Sequence, residues 1–217
     1  MILHYISETN SVLNHFLSQI RDVEVQRDRM RFRRNIERIG EIMAYEISKE
    51  LAYTTRSVTT PLGIKETPEL EDKVVICSIL RAGLTLHGGF LNYFDDAENG
   101  FVSAYRHHPD NDENFDILVE YKAAPSFNNK TLILVDPMLA TGQSLEAVFS
   151  KIMSDETPKE IHIAVVIAAP EGISYLEKHL PDNCHLWVAA LDEKLNEQFY
   201  IIPGLGDAGD LAYGIKL

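Results

Sequence analysis

Between residues 74 and 190 the chain alternates short apolar runs, rich in β-branched residues, with stretches of helical spacing. The runs are Val74–Leu80, Phe101–Tyr105, Ile117–Tyr121, Thr131–Val135, Ile161–Ala168 and Leu186–Ala190. Helical candidates lie among them at Leu84–Tyr93, Ser144–Met153 and Ile173–His179. A strand with one wet face alternates polar and apolar residues, so runs this continuously apolar suit strands covered on both faces. Strand then helix, repeated in order, predicts an α/β fold with an open, mostly parallel sheet flanked by helices. Ligands bind such sheets beyond the carboxyl ends of the strands, so the chemistry is to be sought in the segments just after each strand.

The 217 residues fit one domain over 1–217. Its first part, 1–55, reads as helical, because Ile36, Ile39, Met43, Ile47 and Leu51 recur at spacings of three and four. A loop is expected around Pro61, Gly63 and Pro68, and an exposed loop at His107–Asn114, HHPDNDEN. The glycine-rich end, Ile201–Leu217, reads as loop with little regular structure. Two isolated cysteines, Cys77 and Cys184, exclude a disulfide scaffold and make no metal site by spacing. The N-terminus has no secretory pattern and no run is long enough for a membrane span, so a cytoplasmic protein is expected.

The net charge of -13 argues against nucleic acid and anionic membranes as partners. Residues 21–38 break that trend, with seven arginines against Asp22, Glu24, Asp28 and Glu37, a net +3. Two readings stay open there: the solvated start of a long helix, or an arginine face for a subunit contact or an anionic effector.

The segment with the most chemistry is Leu132–Ser144, LILVDPMLATGQS. A strand ends in Asp136, and a turn leads through Thr141, Gly142, Gln143 and Ser144 into a helix. Gly142 lets backbone approach an anion, N–H groups at a helix N-terminus point at it, and Thr141 and Ser144 add hydroxyls. Asp136 is unsuited to sit beside a phosphate; it is placed to accept from hydroxyl donors such as a sugar diol. No Gly-Lys-Ser/Thr is present, so this is not a P-loop.

LILVDPMLATGQS resembles the phosphoribosyl-pyrophosphate (PRPP) motif of type I phosphoribosyltransferases. Its acid-to-proline form is similar to the uracil phosphoribosyltransferase family in particular, which usually has a second glycine where this chain has Gln143. Ser78–Leu84, SILRAGL, resembles the family's pyrophosphate loop, with Arg81 at its arginine. Tyr105–Arg106 matches the family's tyrosine–arginine pair. Tyr200–Asp210, YIIPGLGDAGD, resembles its uracil-binding C-terminal loop, and Ala168–Ile173, AAPEGI, is a further landmark that looks structural.

The resemblance implies a type I phosphoribosyltransferase fold, with a flexible hood at 106–121 and a base-binding loop within 195–217. It implies PRPP contacts from Arg81, Arg106, Asp136, Pro137, Met138, Leu139, Ala140, Thr141, Gly142, Gln143, Ser144 and Asp207. Uracil would meet Ile201, Gly206, Asp207 and Ala208. Arg106 and Asp207 would act catalytically by charge and positioning, and Mg²⁺ would be held mainly by PRPP, without a direct protein ligand. A homo-oligomer, dimer or higher, is implied, and the arginine segment is the place for a GTP-type effector. After Arg106 this chain is about three residues longer than the family, so His107 and His108 are given no role.

Two alternatives stand beside this reading. One is a phosphoribosyltransferase for another base. Orotate would need a cation for its carboxylate, and there is none between Tyr200 and Leu211. The other is a regulator of the same fold that binds nucleic acid, for which only residues 21–38 offer a basic surface.

Overall fold

The computed structural model describes residues 1–107, 116–154 and 156–216, with the side chains of 105–107 and 116–118 outside the description. The elements run β1 (Ile2–Tyr5), α1 (Val12–Arg21), α2 (Arg29–Ser48), β2 (Tyr53–Thr60), β3 (Gly63–Leu70), β4 (Val74–Leu80), α3 (Gly83–Leu91), β5 (Glu98–His107) and β6 (Asp116–Ala123). They continue with β7 (Thr131–Val135), β8 (Met138–Leu139), α4 (Gln143–Met153), β9 (Glu160–Ala168), α5 (Pro170–His179) and β10 (Cys184–Leu191). Last come β11 (Lys194–Leu195), β12 (Ile201–Ile202) and α6 (Ala208–Tyr213).

The main sheet has the order β1-β10-β9-β7-β4-β5-β6. All its pairings are parallel except that of β5 with β6 at one edge. Every residue of β7 is buried, as its unbroken apolar sequence demands. Ile133 and Val135 join a core with α1, α2 and α3 residues such as Leu13, Met43 and Leu86. Leu132 and Leu134 join a second core with Val148 and Phe149 of α4 and Leu176 of α5. The period-two partition along one strand thus divides the interior into two layers. Cys77 and Cys184 are buried free thiols, pushed up to about 12 and about 11 by desolvation. Asp28 caps α2 by accepting from the N–H groups of Met30 and Arg31. Gly89 of α3 lies against α2 so closely that a Cβ there would stand 2.1 Å from the Glu37 carbonyl.

Three expectations change. The helical N-terminal segment holds α1 and α2 but opens with β1, where the His4 ring stacks on Trp187 of β10 at 3.8 Å. The loop around Pro61, Gly63 and Pro68 is a hairpin: β2 and β3 pair only with each other, from Tyr53↔Leu70 to Thr60↔Gly63. Pro68 is tolerated because a two-stranded ribbon has only edges. The strand expected at Ile117–Tyr121 lies within β6, and residues 108–115 of the expected hood lie outside the described residues. The C-terminal segment contains β12 and α6 rather than little regular structure.

Candidate active site

A cavity of about 700 Å³ opens beyond the carboxyl ends of β4 and β7, between the segment after β7 and the C-terminal loop. On the first side, the Asp136 N–H donates to Ala164 of β9 at 3.1 Å. The Pro137 carbonyl accepts from Val166 and Ile167 at 3.0 and 2.9 Å, which turns it toward the sheet. Asp136 Oδ1 accepts from the Met138 N–H at 3.2 Å. Desolvation pushes the Asp136 carboxyl up to about 7, against the pull of that N–H.

The chain then enters α4 through Gly142, at φ 84, with no side-chain cap on the helix. A side chain there would be strained by the backbone and would meet Gly172 O and Tyr175 Cδ1 at 3.0 Å. Gly142, Ser144 and Leu145 line the cavity, so the uncapped first turn of an eleven-residue helix borders it. Gln143 is the first helical residue and does not line the cavity. Its Oε1 is buried without a partner among the described residues.

On the second side, Ile201 and Gly206 line the cavity, the latter at φ 95. Asp207 lines it too and is the N-cap of α6, accepting from the Asp210 N–H at 2.9 Å. Lys216 Nζ stands 3.5 Å from the other Asp207 oxygen. Arg81 comes directly after β4 and reaches this side, donating to Asp210 Oδ1 at 2.8 Å and to the Gly214 carbonyl at 3.3 Å.

Of the residues expected from sequence, the cavity brings together Arg81, Asp136 and Met138 through Gly142, then Ser144, Ile201, Gly206 and Asp207. Pro137, Gln143 and Ala208 do not line it. Arg106 pairs with Ile117 in the backbone register of β5 and β6, and its side chain lies outside the described residues. Sequence reasoning assigned no ligand contact to Gln198, Phe199, Tyr200 and Lys216, which also line the cavity. The aromatic pair Phe199–Tyr200 at the start of the C-terminal motif was the available signal for two of them.

Among the described residues no group of three or more His, Cys, Asp or Glu is arranged to hold a metal ion. The donor set nevertheless suits Mg²⁺, which prefers oxygen ligands, keeps several waters and shares carboxylates with substrate phosphates. Asp136 and Asp207 supply two carboxylates to one cavity.

A family model described as uracil phosphoribosyltransferase matches residues 7–215. The chain belongs to the uracil phosphoribosyltransferase family. It is 54% identical over 216 residues to the uracil phosphoribosyltransferase of Porphyromonas gingivalis, covering 100% of this chain and 99% of the relative. The Pyrococcus furiosus enzyme of that name is 36% identical over 213 residues, covering 97% and 89%. A solved protein of Aquifex aeolicus superposes with a TM-score of 0.88 at 30% identity, covering all of both chains.

Proposed function

We propose that the protein transfers the phosphoribosyl group of PRPP to uracil, giving UMP and pyrophosphate. The observation that carries this reading is the placing of YIIPGLGDAGD across one cavity from the Asp136–Ser144 turn. The bond from the anomeric carbon to pyrophosphate breaks, one from that carbon to uracil N1 forms, and the N1 proton is released. The transition state has oxocarbenium character, so the enzyme's work is orientation and stabilisation of leaving-group charge.

In this reading Asp136 accepts hydrogen bonds from the ribose hydroxyls. Met138 to Ser144 surround the 5′-phosphate, with Thr141, Gly142 and Ser144 donating. Arg81 and Arg106 meet the pyrophosphate as bidentate donors, for which Arg81 would exchange part of its bond to Asp210. Backbone groups at Ile201 and Gly206–Ala208 read the uracil edge. Cytosine presents a donor where uracil presents an acceptor and would leave buried groups unpaired. Asp207 would help to hold the Mg²⁺ carried by PRPP, which would supply positive charge toward the leaving pyrophosphate. The chain acts as one domain.

We further propose a cytoplasmic homo-oligomer, dimer or higher. Two buried free thiols suit a reducing compartment, and no described helix is long and apolar enough to cross a membrane. The β2–β3 hairpin, with Leu62 and Ile64 at 100% and 76% exposure, is the surface for self-association. A GTP-type effector would find Arg29 and Arg31 exposed on α2. Nucleic-acid binding is disfavoured, because other arginines of 21–38 are engaged within the protein: Arg33 donates to the Ala212 carbonyl at 2.7 Å and Arg34 pairs with Glu37 at 2.6 Å.

The deciding experiment incubates the protein with PRPP, Mg²⁺ and each of uracil, cytosine, orotate and hypoxanthine. UMP and pyrophosphate in the uracil tube alone are expected; a nucleotide from another base, or none, overturns the assignment.

A further inference from the structure

One member of the arginine-rich segment does something the motifs do not explain. Arg21, the last residue of α1, reaches Asp192, 171 positions along the chain. Its Nη1 donates to Asp192 Oδ2 at 2.9 Å and its Nη2 to Oδ1 at 2.5 Å. Nη1 also donates to the Gly204 carbonyl at 2.9 Å, and Asp192 Oδ2 accepts from the Gly204 N–H at 2.8 Å. A single ion pair therefore holds the N–H and the C=O of one residue in the C-terminal loop. Asp192 is 8% exposed and fixed in turn, its own N–H donating to Ala168 at the end of β9 at 2.9 Å.

Gly204 is a sensitive place to hold. It sits at φ 63, and a Cβ there would stand 2.1 Å from the Ile201 carbonyl. Ile201 lies on one side of it and Gly206–Ala208 on the other, the backbone groups assigned above to the edge of the base. Neither Arg21 nor Asp192 lines the cavity, so any influence passes through Gly204. A buried ion pair is a poor source of net stability compared with apolar packing, but its fork-and-carboxylate geometry fixes its neighbours in place.

We infer that Arg21 and Asp192 are positioning residues for base recognition, setting the loop so that its backbone meets the pyrimidine edge. This rests on reading 201–208 as the uracil site. It makes the phosphate side independent of the pair, since the Asp136–Ser144 turn is bonded to β9 and not to α1.

The test uses Arg21→Met, Arg21→Lys and Asp192→Asn in the full chain, with Lys49→Ala, at an exposed cation just after α2, as a control. Steady-state kinetics give KM for uracil, and calorimetry without Mg²⁺ gives Kd for PRPP, so that the metal-mediated Asp207 contact does not enter. The uracil KM is expected to rise about tenfold in Arg21→Met and Asp192→Asn, the effect of misplacing one hydrogen bond. It should rise less in Arg21→Lys, which keeps the charge but loses the fork. Mg²⁺-free PRPP affinity should stay within about twofold, and Lys49→Ala should match the wild type.

KM does not depend on how much of a preparation is active, so partial unfolding cannot imitate this pattern. If Arg21→Met and Asp192→Asn fail to fold, Arg21→Lys decides on the same criteria. A uracil KM within about twofold of wild type in the folded variants overturns the inference, as does a matching rise in both constants. Wild-type protein that makes no UMP would instead remove the base-site reading before any variant is measured.

Discussion

The two walls of the cavity are held by different means. The Asp136–Ser144 turn is fixed by main-chain bonds to its immediate neighbour in the sheet: Asp136 to Ala164, Pro137 to Val166 and Ile167, and Leu139 to Ala169. The Ile201–Ala208 loop has only the two-residue pairing of β11 with β12 as regular sheet support. It is secured by side chains from distant parts of the chain, with Arg21 and Asp192 on Gly204, Arg33 on the end of α6 and Arg81 on Asp210. A wall built from backbone register keeps its shape through most side-chain changes. A wall built from tethers can be retuned by single substitutions that never touch the ligand.

The largest effect should come from the rigid wall, by removing a charge without moving the backbone. Asp136→Asn is expected to lower kcat/KM for PRPP about a hundredfold, through lost charge-assisted hydrogen bonds to the ribose. Its melting temperature at pH 8 should not fall, because the amide removes a desolvated charge. A variant with near-normal kinetics would take Asp136 out of the ribose site.

Gly204→Ala tests the tethered wall. The clash with the Ile201 carbonyl should raise uracil KM about tenfold while leaving Mg²⁺-free PRPP binding intact. Equal damage to both substrates would show that the walls are not separable.

The pH dependence gives a smaller, graded signal. With its carboxyl at about 7 in the free protein, Asp136 is partly protonated at neutral pH, and donors from the ribose would favour the ionised form. PRPP affinity should therefore rise with pH up to about 7 and level off above it, relative to Asp136→Asn, which cancels the ligand's own titration. The stability sign is opposite. The folded state holds this proton more tightly than the unfolded chain, so the contribution is full below the ordinary carboxylate range and is lost as pH rises through about 7. Thermal melts of the two proteins across pH 5 to 8 check it.

The smallest effect is expected from Gln143→Gly, which restores the residue usual in the family. The side chain does not line the cavity, so kinetic constants should shift less than about threefold. A larger change would mean that the buried Oε1 shapes the turn.

The same contrast explains what could be read from the sequence. Asp136 to Ser144 was legible because its determinants are local: an apolar strand, a glycine at a left-handed turn, and a helix start with hydroxyls. The strands β4, β7 and β9 were legible because burial on both faces leaves an unbroken apolar run. The hairpin β2–β3 left no such mark, since neither of its faces is buried against the sheet. β1 has four residues, and its His4 ring stacks on His185 and Trp187 of β10. The short helix α6 was hidden by Gly209 within it, and its start depends on Asp207 serving as cap. No local pattern joins Arg21 to Asp192, because only the folded chain brings them together.

The burial of both thiols has a practical consequence. A thiol reacts as its thiolate, and Cys77 and Cys184 are both shielded and held protonated at neutral pH. The native protein is therefore close to silent toward alkylating reagents. A cysteine installed in place of Leu62, at the tip of the hairpin, would be the one fast-reacting sulfur in the molecule. Its labelling rate, compared between dilute and concentrated protein, would report directly whether that tip stands in water or against another subunit.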